Sequence, residues 1–509
     1  LFYSCRIGMG TSGAKYFFKA VFAASLIVLT GFSLAAIQVL PTYEFTGLST
    51  RAGGISYDFA TLDSLPFRNL LTFVVPQLFG SPMDGTYWIS GSTWEFWEYC
   101  GYVGRGALVI TAIALRRLTS DRLIVFFLIL VVISLFLAMG RNNPLYPFFY
   151  RLPGFGSFRI PAQIIFLYIF SMAVLTGKGL DLVKDKKVFS LFWKRIACFI
   201  LIFLLPLVFW SYGFSDNFGN TLFQYIHHKG ISIERIKFIV PLVSGAVLVS
   251  CGLFLAIVVI LYLYHKKSIS YFLLVLLLIF ISFVDLGAFS APMIRATDMK
   301  PLLNEGRFLR DIKEDLEVSR TAINGRCFIE NAGLWYGFQD IQGYDPLILK
   351  RYVEYINRSQ GLPPDNKVVN LHYVTRFDNN LIRLLNLRYV VDCEGKRLVK
   401  VNPYIPRCYI VHDMATRDEN EILDFMMEER FDPLKQVVFE KGNAPERHLL
   451  PEPVPGSHEK CRITAYENDE INLTAEMVTP GFLVLSEINY PGWQVFVDGT
   501  KKDILTGNY

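Results

Sequence analysis

The sequence is poor in charge and histidine, and few compact chemical motifs are visible in it. Charged residues are 19% of 509, and the seven histidines include no H-E-x-x-H and no ligand-spaced cluster, so no metal centre is expected. None of the eight cysteines forms C-x-x-C. Neither G-x-S-x-G nor a Walker A string occurs, so neither type of soluble chemistry is indicated. No 20–50-residue repeat is present, which excludes a solenoid. What the chain has in excess is apolar residues, 52% of the total, with a mean hydropathy of +0.35. That rules out a disordered or fibrous protein.

The average hides two halves. Residues 1–290 carry 23 Lys/Arg and 12 Asp/Glu, a net of +11, whereas residues 291–509 carry 27 and 33, a net of −6. The first half is membrane-like and the second resembles a soluble domain. The overall +5 is therefore no nucleic-acid signature, because the soluble half is acidic. The start at Leu1, and the lack of a small-residue cleavage site after the first apolar run, read as a fragment without a signal peptide.

A spanning helix needs roughly 20 mostly apolar residues. Seven segments are expected to span, near 20–40, 99–115, 123–140, 162–177, 196–213, 238–264 and 271–290. The first is expected to stop at Pro41. Arg105, inside the weakest segment, is expected to snorkel toward the interface. Loops after the even-numbered segments hold 11 Lys/Arg (Arg116, Arg117, Arg122, Lys178, Lys184, Lys186, Lys187, Lys194, Arg195, Lys266, Lys267), and the loops after the third and fifth hold six. The positive-inside rule makes the first set cytoplasmic and puts the tail outside the cell membrane. The long loop 41–98 and the loop 141–161 then face outward.

The tail divides into an α+β region, 291–445, and a region ending in a β-sandwich, 446–509. Helices are expected near 303–316, 346–358 and 417–429, the last with Ile422, Phe425 and Met426 on one face. Strands are expected at Leu387–Asp392, Cys408–His412, Gln436–Glu440, Arg462–Tyr466, Ile471–Glu476, Phe482–Ile488 and Gln494–Val497, with a hairpin turn at Asp498-Gly499. The cysteines of the tail (Cys327, Cys393, Cys408, Cys461) allow three pairings, with buried free thiols the plainer reading.

Several strings, in order, carry a resemblance. They are Tyr57-Asp58-Phe59-Ala60 with Ser64-Leu65-Pro66, the aromatic run from Trp94 and Glu95 to Tyr102-Val103-Gly104, and Pro144-Leu145-Tyr146. Leu152 to Pro161 (LPGFGSFRIP), Gly343-Tyr344-Asp345-Pro346, Leu384 to Tyr389 (LLNLRY), Phe431-Asp432-Pro433 and Tyr490-Pro491-Gly492-Trp493 follow. From about residue 40 onward the chain resembles the YfhO family of bacterial membrane proteins. It departs from the family at Gln163, where an arginine is expected.

The resemblance implies a polytopic GT-C-like envelope protein. Its implied activity is transfer of a sugar from a polyprenyl-phosphate carrier to a cell-envelope polymer on the outer face, with membrane lipid as partner. Such enzymes keep a catalytic carboxylate in the first outer loop, which is expected upstream of this sequence. A site for this chemistry needs a cation for phosphate, a carboxylate for the acceptor hydroxyl and aromatics for sugar. The candidates are Arg141 and Arg159 for phosphate, Asp58 or Glu95 for acceptor activation or a divalent cation, and Tyr57, Trp94 and Trp97 for sugar, with Glu98 beside them. The plainer reading is that Glu95, Glu98 and Arg159 pair to hold the loops, and that the aromatics form an interfacial belt. A lipid-linked glycan flippase and a non-catalytic scaffold are the competing functions. In the scaffold reading the Tyr490–Trp493 turn would touch glycan, unless Trp493 plugs the sandwich core.

Overall fold

A computed structural model describes residues 13–89, 94–152, 155–185, 232–294, 296, 307–315, 318–328, 330–364, 370–371, 373–445 and 459–509. The chain separates into two compact units, Gly54–Thr297, and Leu1–Gly53 with Asp298–Tyr509. Among the described residues, four helices are long and apolar enough to cross a membrane: Phe17–Leu48, Pro161–Val183, Ile233–His265 and Tyr271–Met293. The first lies in helix α1 (Gly13–Leu48), which runs through Pro41 instead of stopping there. The Thr42 and Thr46 hydroxyls donate to the Gln38 and Thr42 carbonyls at 2.7 and 2.6 Å, each four residues back along the helix.

The unit Gly54–Thr297 contains the short helices α2 (Tyr57–Ala60) and α3 (Trp94–Glu98), then α4 (Arg105–Ala114) and α5 (Arg122–Ala138). Next come α6 (Tyr146–Tyr150), α7 (Ile165–Val183), α8 (Ile233–His265) and α9 (Tyr271–Ser290). The expected segment 99–115 contributes a helix of only 10 residues, about 15 Å at the usual rise. The segment 196–213 and the His227-His228 pair lie outside the described residues. Helices α4 and α7 run side by side, with the Thr111 and Thr176 hydroxyls 3.1 Å apart. A Cβ on Gly179 would lie 2.0 Å from the Ile110 carbonyl oxygen, so this contact requires glycine. Ile110, Ile113, Val183, Ile257, Leu261 and Leu274 fill the core between α4, α7, α8 and α9.

Among the described residues, several basic side chains share one end of this unit: Arg117 pairs with Asp185 at 2.8 Å, Lys178 with Asp121 at 3.8 Å, and Lys184 lies 4.5 Å from the Tyr271 ring centroid. The opposite end carries 54–89, 94–98, 139–152 and 155–161.

The tail holds α10 (Arg307–Lys313), α11 (Ala332–Tyr336), α12 (Lys350–Ser359), α13 (Asn380–Leu384) and α14 (Glu419–Met427). Its first strands are β1 (Arg320–Asn324), β2 (Gln339–Asp340), β3 (Leu387–Asp392) and β4 (Arg397–Lys400), which form one sheet in the order β2-β1-β3-β4. Parallel β6 (Asp413–Arg417) and β7 (Gln436–Glu440) are bridged by α14. As the periodicity predicts, Ile422, Phe425 and Met426 of α14 are buried, together with Leu387 and Val438.

The last strands are β5 (Cys408–Val411), β8 (Lys460–Tyr466), β9 (Ile471–Glu476), β10 (Phe482–Leu485), β11 (Val495–Val497) and β12 (Thr500–Lys502). Among the described residues they form two-stranded pairs, β8 with β9, β10 with β5 and β11 with β12. The β10–β5 pairing joins the sequence on either side of residue 446, because Phe482 and Val484 pack against the core to which β5 belongs. Asp498 and Gly499 form the β11–β12 turn with φ of 50° and 74°. Trp493 does not plug a core; it is 40% exposed. Disulfides link Cys327 to Cys393 and Cys408 to Cys461, which selects one of the three pairings and replaces the free-thiol reading.

Candidate active site

The two loops at the end opposite the basic one are tied by backbone bonds. Arg141 donates from its backbone N–H to Ser64 Oγ (3.0 Å), from Nε to the Thr61 carbonyl (3.1 Å) and from Nη2 to the Asp58 carbonyl (2.8 Å). Asn142 donates to the Ser64 and Leu65 carbonyls. Gly140 has φ +44°, and a Cβ there would fall 2.1 Å from Ser64 Oγ, so only glycine permits this approach. Tyr57 meets Tyr150 edge to face at 5.3 Å, and the Tyr150 hydroxyl donates to the Ile55 carbonyl.

On this frame Asp63, Glu98, Arg159, Gln163 and Trp94 come together. Asp63 and Ile160 both occupy the left-handed region, at φ 50° and 66°. For buried, β-branched Ile160 that conformation is costly. It stands between Arg159 and Pro161, at the turn from which Arg159 leaves the chain. Burial raises the Asp63 carboxyl above its ordinary value, opposed by Arg159 and Arg141. Glu98 is also raised, first by burial and then by the charge of Asp63. Hydrogen bonds from Gln163 and Trp94 and the charge of Arg159 oppose this. Burial is thus the first cause of the rise at both carboxyls, and the charge of Arg159 acts against it at both.

The sequence candidates sort as follows. Arg159, Glu98 and Trp94 belong to the cluster. Arg141 acts on Asp63 but commits Nε and Nη2 to backbone carbonyls. Asp58 is exposed and offers its carbonyl to Arg141. Glu95 acts on Tyr87 instead, whose hydroxyl is pushed up to about 12 by burial first and by Glu95 second. Tyr57 holds loop to loop, and Trp97 is exposed against Phe96 at 5.4 Å. Among the described residues no ion pair joins Arg159 to Glu95 or Glu98, and no group of three or more His, Cys, Asp or Glu could hold a metal. Asp63 and Gln163 were not chosen from sequence. Their available signals were the Asp63-Ser64-Leu65-Pro66 string and the Gln at a position expected to be Arg.

Beneath the site, Asn69, Tyr87, Tyr99, Cys100, Tyr102 and Phe289 line a cavity of about 20 Å³. That admits one or two waters. Below the cavity Arg105 is 5% exposed and does not snorkel. Its guanidinium pairs with Asp285, meets the Tyr102 hydroxyl at 2.6 Å and donates to Ser250. Asp285 also accepts from the Tyr102 hydroxyl (2.6 and 2.7 Å) and from the Arg105 backbone N–H (2.9 Å). Pairing, not proximity to water, accommodates this arginine. No protein-family model, curated protein or solved structure matches the chain.

Proposed function

We propose that the protein is a multi-pass envelope glycosyltransferase of YfhO type with seven spans in this sequence and its tail outside the cell membrane. It would move a sugar from a polyprenyl-phosphate carrier to an envelope polymer. The observation that carries the reading is Glu98, hydrogen-bonded by Gln163 and Trp94, with the charges of Asp63 and Arg159 acting on it. In this reading Arg159 holds the carrier phosphate, Glu98 removes the proton of the acceptor hydroxyl, Asp63 tunes Glu98, and Trp94 stacks on sugar. The acceptor oxygen bonds to the anomeric carbon as the carrier phosphate leaves with the bonding pair. Two disulfides in the tail suit an oxidising exterior, and the clustering of basic loops at the other end suits a cytosolic face.

The test is sugar transfer by membranes holding the full protein, supplied with polyprenyl-phosphate-linked sugar and envelope acceptor. Transfer lost in Glu98→Gln and Arg159→Ala, with the protein still present, supports the assignment. Transfer unchanged in both removes it. No transfer with any donor favours a scaffold.

A further inference from the structure

Helix α4 is poorly suited to enter a bilayer alone. It has 10 residues, begins with Arg105 and follows Gly104, which supplies no side-chain cap. A charged residue in a short apolar segment is costly to insert. Asp285 supplies what the segment lacks: it neutralises the guanidinium, and its Oδ2 accepts the Arg105 backbone N–H at 2.9 Å, doing the work of an N-cap from another helix. Asp285 lies 14 residues after Tyr271, and Ser250 lies 15 residues before His265. At the helical rise these put the cluster about 21 Å from the basic end, inside a hydrocarbon core of about 30 Å.

We propose that Asp285 is the insertion partner of Arg105. The α4–α5 hairpin takes its spanning position only once α9 has entered, and the Arg105–Asp285 pair then retains it. The inference rests on the seven-span orientation proposed above.

Impermeant maleimide labelling of Ser120→Cys, in the α4–α5 turn, and of Lys400→Cys, in the tail, tests it in whole cells with the full chain. With Asp285 intact, Ser120→Cys is protected until the membrane is opened and Lys400→Cys reacts. In Asp285→Leu, Ser120→Cys loses protection while Lys400→Cys is unchanged. Removing both charges, in Arg105→Leu with Asp285→Leu, restores protection, which separates the pairing from simple loss of a side chain. Should Asp285→Leu be degraded, recovery of protected protein in the double variant carries the same conclusion, and its failure to recover overturns the proposal. Protection retained in Asp285→Leu overturns the pairing alone. Labelling of Ser120→Cys from outside with Asp285 intact overturns the orientation and the pairing together.

Discussion

At the scale of single residues, the proposed chemistry rests on the burial of Glu98 and the charges around it. Burial first and Asp63 second raise the Glu98 carboxyl, and Gln163, Arg159 and Trp94 act against them. Glu98 must be ionised to accept a proton, so activity falls on the acid side as pH drops through its raised value. Removing the Asp63 charge in Asp63→Asn moves that limb to lower pH. A kcat/KM profile against pH for the parent and the variant checks this, and coincident limbs would refute the effect of Asp63 on Glu98. Arg159 and Glu98 were legible in the sequence because an arginine and an acid in proline- and aromatic-rich loops stand out. Asp63 was not, because its effect on Glu98 acts across 35 positions of sequence. Arg105 was misread for a similar reason: its partner is 180 residues distant, and sequence reading supplied only the local alternative of snorkelling.

At the scale of elements, periodicity served well where burial is one-sided. Strand β7 is a short apolar run with Val437, Val438 and Phe439 all buried, whereas helix α14 and the Asp498-Gly499 turn follow directly from helical spacing and turn chemistry. The pairing of β10 with β5 did not, since four consecutive apolar residues carry no register. This junction is held by charge as well. Arg407, 3% exposed, and Arg320 both reach Glu487, with Tyr466 donating to the same carboxylate at 2.7 Å. Burial, then Arg407, lowers the Arg320 pKa. Glu487→Gln leaves two arginines uncompensated, and a loss of about 3 kcal/mol is expected in denaturant unfolding. His412 ties β5 to Glu459 and the Pro480 carbonyl. Burial alone would lower its pKa, but the two acceptors together raise it above 6.5. A raised histidine stabilises fully below its unfolded value, and that contribution is lost as pH rises through the folded one. The tail should therefore melt lower at pH 8 than at pH 6, and His412→Gln should flatten the difference.

At the scale of the whole molecule, the division into an apolar helical part and a charged mixed part was legible from composition, because a bilayer and water select opposite residues. The number of crossings was harder to read, because helix length and the segment's apolar length differ: α1 runs past Pro41, and α4 is shorter than its apolar stretch. In the tail the disulfides close loops of 66 and 53 residues, each worth about 4 kcal/mol by chain entropy. Replacing Cys327 with Ser, or reducing the protein, should lower tail stability by that order in a thermal or denaturant melt. The most direct measurement of the central claim uses sealed right-side-out vesicles loaded with the polyprenyl-phosphate sugar and given acceptor only outside. The account predicts labelled acceptor in the outer medium, lost in Glu98→Gln. Product formed only when acceptor is enclosed within the vesicles would contradict it.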